Sequence, residues 1–498
     1  MQRLIKIASG ALGIEAASFA SGASKDIAES PTAEPERPDV NLSLNLNNNY
    51  FKMFFKQIVK NNIMKKFTSL KKILVMTLFM GVLGDYAYAQ FSLSGEVRPR
   101  MEYLHGYSTL TDKDSDPAGF ASQRTRVNFN YSHDRVKMGI SMQDVFIWGS
   151  QPQLFSTSNN VSVHQAWGQY FLSPSLSLKL GRQELVYDDE RIFGNSNWQQ
   201  QGRSHDVALL RYDGMLRIDI GAAFNQNEKH LSGTYYKLNN YKMMQFIWLN
   251  TDIVENLNLS LLFLNNGYQY DYKVTENGVA HDASKNIFNQ TLGGRLVYAP
   301  ADLSVHASGY YTMGKDTKDR ELSAYYVGLG LDYQMTDDWN AGLGWELLSG
   351  TDQKDMIENP DGYKNKSFNP FYGTSHKFNG FMDYFNANGN WANSVGLNDL
   401  FASVQYSRRN FEINLTGHAF LTAADVIKDG NVDEKMESYL GTEIDLTMSY
   451  KLSKTSNVVL GYSQMIGSET LQAIKGGNKD ACNNWAYLMF TFKPVFLK

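Results

Sequence analysis

The chain has 498 residues, a formal charge of −4 and 43% hydrophobic residues. Its mean hydropathy is negative, which argues against a bundle of membrane helices, and its near-neutral charge gives no reason to expect nucleic acid. A single cysteine, Cys482, excludes an internal disulfide framework and a Cys-rich zinc site.

Residues 1–63 hold an Ala/Ser-rich segment, a Pro-containing acidic stretch and an Asn run around residues 45–49, with no sustained period. They are expected to be disordered or to lie upstream of the true start. Residues 64–89 read as a signal peptide. Lys65, Lys66, Lys71 and Lys72 are basic, residues 73–83 are an apolar core, and Ala87 with Ala89 make a small-x-small site. The core is too short for the ~20 residues of a spanning helix. Cleavage is expected after Ala89, leaving residues 90–498 as the mature domain in the outer membrane of a Gram-negative bacterium.

Residues 91–103, FSLSGEVRPRMEY, alternate strictly. Phe91, Leu93, Val97, Met101 and Tyr103 fall on one face, and Glu96, Arg98, Arg100 and Glu102 on the other. The pattern recurs in eighteen candidate strands: 91–103, 121–133, 136–147, 161–172, 175–187, 204–213, 215–226, 236–252, 256–271, 287–299, 302–314, 321–335, 338–350, 396–409, 411–422, 439–452, 456–467 and 484–496. The phase is ambiguous near 161–187 and 204–213. After even-numbered strands the connections are short, as at 133–135, 173–174, 213–214 and 453–455. After odd-numbered strands they are mostly long, as at 104–120, 188–203, 272–286, 351–395, 423–438 and 468–483. A soluble sandwich has no reason to sort loops by strand parity. An all-β, 18-stranded antiparallel transmembrane β-barrel does, with short periplasmic turns, long extracellular loops, lipid outside and water within.

Residues 181–206, GRQELVYDDERIFGNSNWQQQGRSHD, resemble the alginate export family of outer-membrane barrels, in particular its Bacteroidetes-type members. The matching residues are Gly181 to Leu185, Asp189 with Arg191, Gly194, Trp198 to Gln200, Gly202 with Arg203, and Asp206. Gln143, Asp144 and Val145 with Trp148 and Gly149 match as well, as does Tyr372 to Gly380 in the longest loop. The resemblance implies an eighteen-stranded fold and passive passage of an anionic polyuronate such as alginate through an arginine-lined pore. The chain departs from the family pattern at Phe146, where a basic residue is expected, and in its short turn at 453–455.

With the polar phase inward, Arg98, Arg100, Arg124, Arg126, Lys179, Arg217 and Arg295 are candidate pore-lining cations, with Glu96 among them. Later strands contribute the acids Asp332, Glu346, Glu412, Glu443 and Asp445. The lumen is therefore expected to have a basic wall and a more acidic one. Loop 188–203 is expected to fold inward, and Arg191, Trp198, Arg203, His376 and Lys377 are the constriction candidates. Residues 379–385 are read as a short helix.

The histidines show no metal spacing, no Ser/His/Asp signature is present, and no cofactor is implied. The expected function is a monomeric channel for anionic solutes. A general non-specific porin is the alternative, and an outer-membrane hydrolase is a poorer match to so wide a barrel. Partners are outer-membrane lipid, an anionic saccharide or small solute, and the barrel-assembly machinery. The aromatic terminal strand resembles the segment which that machinery reads.

Overall fold

The computed structural model describes residues 90–154, 161–236, 240–276, 279–386, 389, 391 and 394–498. The expected leader segments, 1–63 and 64–89, lie outside the described residues.

The strands are β1 (Gln90–His105), β2 (Ala118–His133), β3 (Val136–Ile147), β4 (Val161–Phe171), β5 (Leu176–Gln183), β6 (His205–Asp213), β7 (Arg217–Phe224), β8 (Met243–Val254), β9 (Leu257–Glu276), β10 (Val279–Tyr298), β11 (Leu303–Lys315), β12 (Glu321–Gln334), β13 (Trp339–Leu348), β14 (Leu397–Arg408), β15 (Phe411–Leu421), β16 (Ile427–Lys428), β17 (Asn431–Lys435), β18 (Tyr439–Ser453), β19 (Ser456–Gly467), β20 (Asn483–Phe492) and β21 (Val495–Leu497). β16 and β17 form a separate hairpin, and β21 continues β20 along the same edge of β1. The remaining eighteen staves pair antiparallel in sequence order, and β1 pairs back onto β20, which closes the barrel. Among the described residues, closure leaves no unpaired strand edge in the barrel wall, the condition for sheet to sit in lipid.

The outer face carries Val97, Met101, Ile140, Leu180, Ile220, Leu261, Leu329, Leu343, Leu415 and Ile444. Aromatics collect at its two rims. Tyr131, Tyr170, Tyr212, Tyr298, Tyr333, Trp339 and Tyr450 ring the short-turn end, and Tyr103, Phe120, Tyr311, Tyr325 and Tyr439 ring the loop end. Along β2, Phe120 and Tyr131 are separated by about eleven residues of ~3.3 Å rise, which at a tilt of ~40° spans roughly 28 Å, the height of an apolar band.

Two elements differ from the expectation, and one open phase is settled. Residues 272–286 are not an open loop, because β9 and β10 continue as a paired hairpin to Glu276 and from Val279. Residues 379–385 are not a helix. A single 3₁₀ turn, Ser375–Lys377, precedes Asn379 (φ 61°) and Gly380 (φ 85°), and left-handed residues cannot propagate a right-handed helix. The ambiguous phase of the fourth and fifth strands has a local cause: the β3–β4 register slips between Ser141 and Met142, so that His164 is the extra residue and is buried. Within the connections lie two short helices, α1 (Gln353–Glu358) and α2 (Glu469–Lys475).

Candidate functional site

Two connections enter the barrel from the loop end: residues 184–204 between β5 and β6, and residues 349–396 between β13 and β14. They lock to each other by backbone. Gly194 donates to the Tyr372 carbonyl at 2.9 Å, Tyr372 to Ile192 at 3.1 Å, and Thr374 to Glu190 at 3.0 Å. The Arg203 guanidinium donates to the Gly373 carbonyl at 2.8 Å, and the Thr374 hydroxyl to Glu190 at 2.6 Å. A Cβ on Gly373 would lie 2.2 Å from the Arg191 carbonyl oxygen, so only glycine permits this approach. Phe193 and Tyr372 stack at 5.5 Å, and Tyr187, Phe246, His205 and Tyr241 extend that cluster to the barrel wall.

On one side the loops meet the arginines of β1 and β2. Arg98 lies directly opposite Arg124, and Glu96 opposite Arg126. All four guanidiniums face inward, but they are buried under the first loop. Arg98 donates to the carbonyls of Asn197 (2.8 Å), Trp198 (3.3 Å) and Gln199 (3.2 Å), Arg100 to Trp198 (2.8 Å), Arg124 to Gln200 (3.3 Å) and Arg126 to Gln201 (3.4 Å). Arg124, only 1% exposed, also pairs with Glu96, which has Lys493 at 3.6 Å. Arg100 lies 4.1 Å over the Trp198 ring. Five consecutive carbonyls are thus held by four guanidinium forks.

Further round the wall, Glu346, Asp399, Glu443 and Asp445 occupy neighbouring positions on β13, β14 and β18, with His418 of β15 bonded to Asp399 at 2.9 Å. They accept from the second loop: Asn379 Nδ2 reaches Glu346 at 2.7 Å and Asp399 at 3.0 Å, the Phe381 amide reaches Asp445 at 3.2 Å, and the Met382 amide reaches Glu443 at 2.7 Å. Arg191 of the first loop crosses to this wall. It pairs with Glu346 and stacks on Phe378 at 3.9 Å and Tyr326 at 4.7 Å. Burial alone would favour loss of its proton, but Glu346 outweighs that and raises the guanidinium above its ordinary value. Burial pulls Arg203 below its ordinary value.

The other candidates sit elsewhere. Arg295 pairs with Asp189 at 2.7 Å, and Lys179 lies 4.0 Å over Trp167. Arg217 is exposed at the short-turn rim, 3.3 Å from Asp213. Lys377 donates to the Asp189 carbonyl at 3.0 Å, has Glu190 at 3.6 Å, and is about half exposed. Trp198 and His376 stack face to face at 4.3 Å with 14° between planes. Beside this pair a cavity of about 170 Å³ is lined by loop residues including Arg203, Ser196 and Asn386. Another cavity, of about 380 Å³, is lined by residues that include Glu190, Lys377, Phe381 and Tyr487 of β20. Trp198 and His376 line both. Sequence reading missed Asp399, Phe381, Phe401 and Tyr487. The available signal was a glycine directly opposite an aromatic on the next strand, as Gly344 opposes Phe401 and Gly461 opposes Tyr487.

This barrel, with its two inserted loops, coincides with a known sequence family whose model matches residues 89–483 and is described as alginate export. The chain belongs to the alginate export family. No curated protein sequence matches it. Among solved structures, the barrel is similar to Pseudomonas aeruginosa OccK3 (OpdO), with a TM-score of 0.54 and 12% identity over 82% of this chain and 96% of that one. It is also similar to Acinetobacter baumannii OccAB4, with a TM-score of 0.52 and 12% identity over 82% of this chain and 99% of that one. At this identity the likeness speaks for the fold, that of outer-membrane porins. This member of the alginate export family is an outer-membrane channel.

Proposed function

We propose that the channel passes anionic saccharides, polyuronates such as alginate or their oligosaccharides, by passive diffusion. The observation that carries this reading is the Trp198–His376 stack, which lines two cavities with a cation in each, Arg203 in one and Lys377 in the other. A carboxylate-bearing chain meets positive charge in both cavities beside the aromatic stack, where low-dielectric walls focus the field. Arg98, Arg100, Arg124 and Arg126 serve in this reading as the frame of the constriction, because they are buried beneath the first loop, whereas Arg203 and Lys377, each also bonded to a loop carbonyl, keep part of their surface open. The chain works as a monomer, exported by the leader ending at Ala89 and inserted by the barrel-assembly machinery through its terminal strand.

A non-specific porin is favoured by one observation. The wall below the constriction carries neutral amides and hydroxyls, Asn340, Gln405, Asn414 and Thr416, all partly exposed. Reversal potentials in planar bilayers under a salt gradient separate the two. Anion preference that falls toward unity in the R203Q/K377Q double variant supports the constriction reading. A wild-type channel without anion preference overturns it and leaves the non-specific porin.

A further inference from the structure

The inward aromatics of the late wall lie flat across glycines of the neighbouring strand. A Cβ on Gly344 would sit 2.1 Å from the Phe401 ring, and one on Gly461 would sit 1.9 Å from the Tyr487 ring. Each ring therefore occupies the space a side chain would fill; Phe401 stays partly exposed, whereas Tyr487 is buried against Trp198 and Trp485. Phe401, with Phe381, His418, Asn414 and Thr416, lines a second cavity of about 200 Å³. The 380 Å³ cavity under the Trp198–His376 stack shares two residues with it, Phe381 and Lys377. Phe381 also stacks on His376 at 5.4 Å, so an aromatic series runs from Trp198 through His376 and Phe381 toward Phe401. Its position is fixed from behind by the bond from its amide to Asp445.

We propose that these two cavities are adjacent ring subsites for a disaccharide unit of an acidic glycan. Phe381 is the platform shared by both rings, and Lys377 is the carboxylate's partner. The proposal rests on the reading of the channel as a saccharide conduit and deepens it. The chemistry is complementary on each face of a pyranose. The C–H face packs on an aromatic ring, hydroxyls at the edge meet Asn195, Asn197, Asn414 and Thr416, and a uronate carboxylate competes with Glu190 for the half-exposed Lys377 ammonium. Two linked cavities predict a preference for two rings over one.

The test is single-channel recording of the full-length protein in planar bilayers. Digalacturonate, galacturonate and maltose are added in turn to the short-turn side. Digalacturonate is expected to cause brief blocks of the ion current that galacturonate does not. F381L, which keeps bulk and loses the ring face, is expected to shorten the blocks about tenfold, and F381A at least as much. K377Q is expected to shorten blocks by digalacturonate while leaving those by maltose unchanged. Equal blocks by one and two rings, or block times unaltered in F381L, overturn the subsites while leaving an anion-selective channel standing. A wild-type channel that conducts without anion preference sinks the underlying reading instead.

Discussion

The two charged walls of the lumen solve one problem in opposite ways. Each must hold a loop that has left water and carries its backbone into the barrel. On β1 and β2 the arginines take carbonyls, and one fork reaches two or three residues, as Arg98 does with Asn197, Trp198 and Gln199. That grip is made through long side chains, and the gripped stretch is bracketed by left-handed backbone at Ser196 (φ 47°) and Gly202 (φ 65°). On β13 to β18 the carboxylates take amides, and successive amides converge only where the chain turns left-handed. Asn379 and Gly380 provide that turn, a backbone nest for the Glu443 and Asp445 oxygens. The lesson is that the basic wall holds its loop through side-chain forks and the acidic wall holds its loop through backbone amides.

Breaking each wall tests this contrast. The largest effect is expected from R124Q. It leaves Glu96 buried without its main partner, and losing one member of a buried ion pair costs about 3–5 kcal/mol. Urea unfolding in detergent should show the midpoint fall; an unchanged midpoint would mean that the pair contributes nothing net. Next, G380A forces a side chain into left-handed backbone with its Cβ 2.7 Å from the Glu443 carboxylate, a strain of roughly 1–3 kcal/mol. It should free the second loop without unfolding the barrel, read as faster proteolysis within residues 349–396 and noisier conductance. Quiet conductance and unchanged proteolysis would show that the acidic wall adapts after all.

A double variant sharpens the comparison. Because the loops clasp each other at Tyr372 and Gly194, R98Q and G380A should couple by about 1 kcal/mol rather than add. Strict additivity of the two unfolding shifts would show that the walls act independently. The smallest effect belongs to R182A, whose pair with Asp206 is exposed on both sides and should be worth about 0–1 kcal/mol. A larger shift in the same unfolding assay would mean that exposed pairs on this barrel carry structural weight.

Much of the barrel could be read from the chain because alternation is a local property. Val97 faces out and Arg98 in because successive strand side chains point to opposite faces, and one face met lipid. The places where reading by period failed are those where the period itself breaks. They include the slipped register at His164, the extended hairpin whose polar tip resembled a loop, and the left-handed pair inside what read as a helix. Loop 188–203 contributed Arg191, Trp198 and Arg203 to the lumen, yet none of their partners lay nearby in sequence. Arg191 meets Glu346, Trp198 meets His376, and Arg203 meets Gly373.

The order of residues alone therefore determined a closed sheet with one greasy and one polar face, since strand period and turn length act over a few residues at a time. What the charges inside that tube do was decided by tertiary structure. Only when two distant loops fold inward do the arginines find carbonyls, the carboxylates find amides, and the remaining cations and ring faces come to line the cavities.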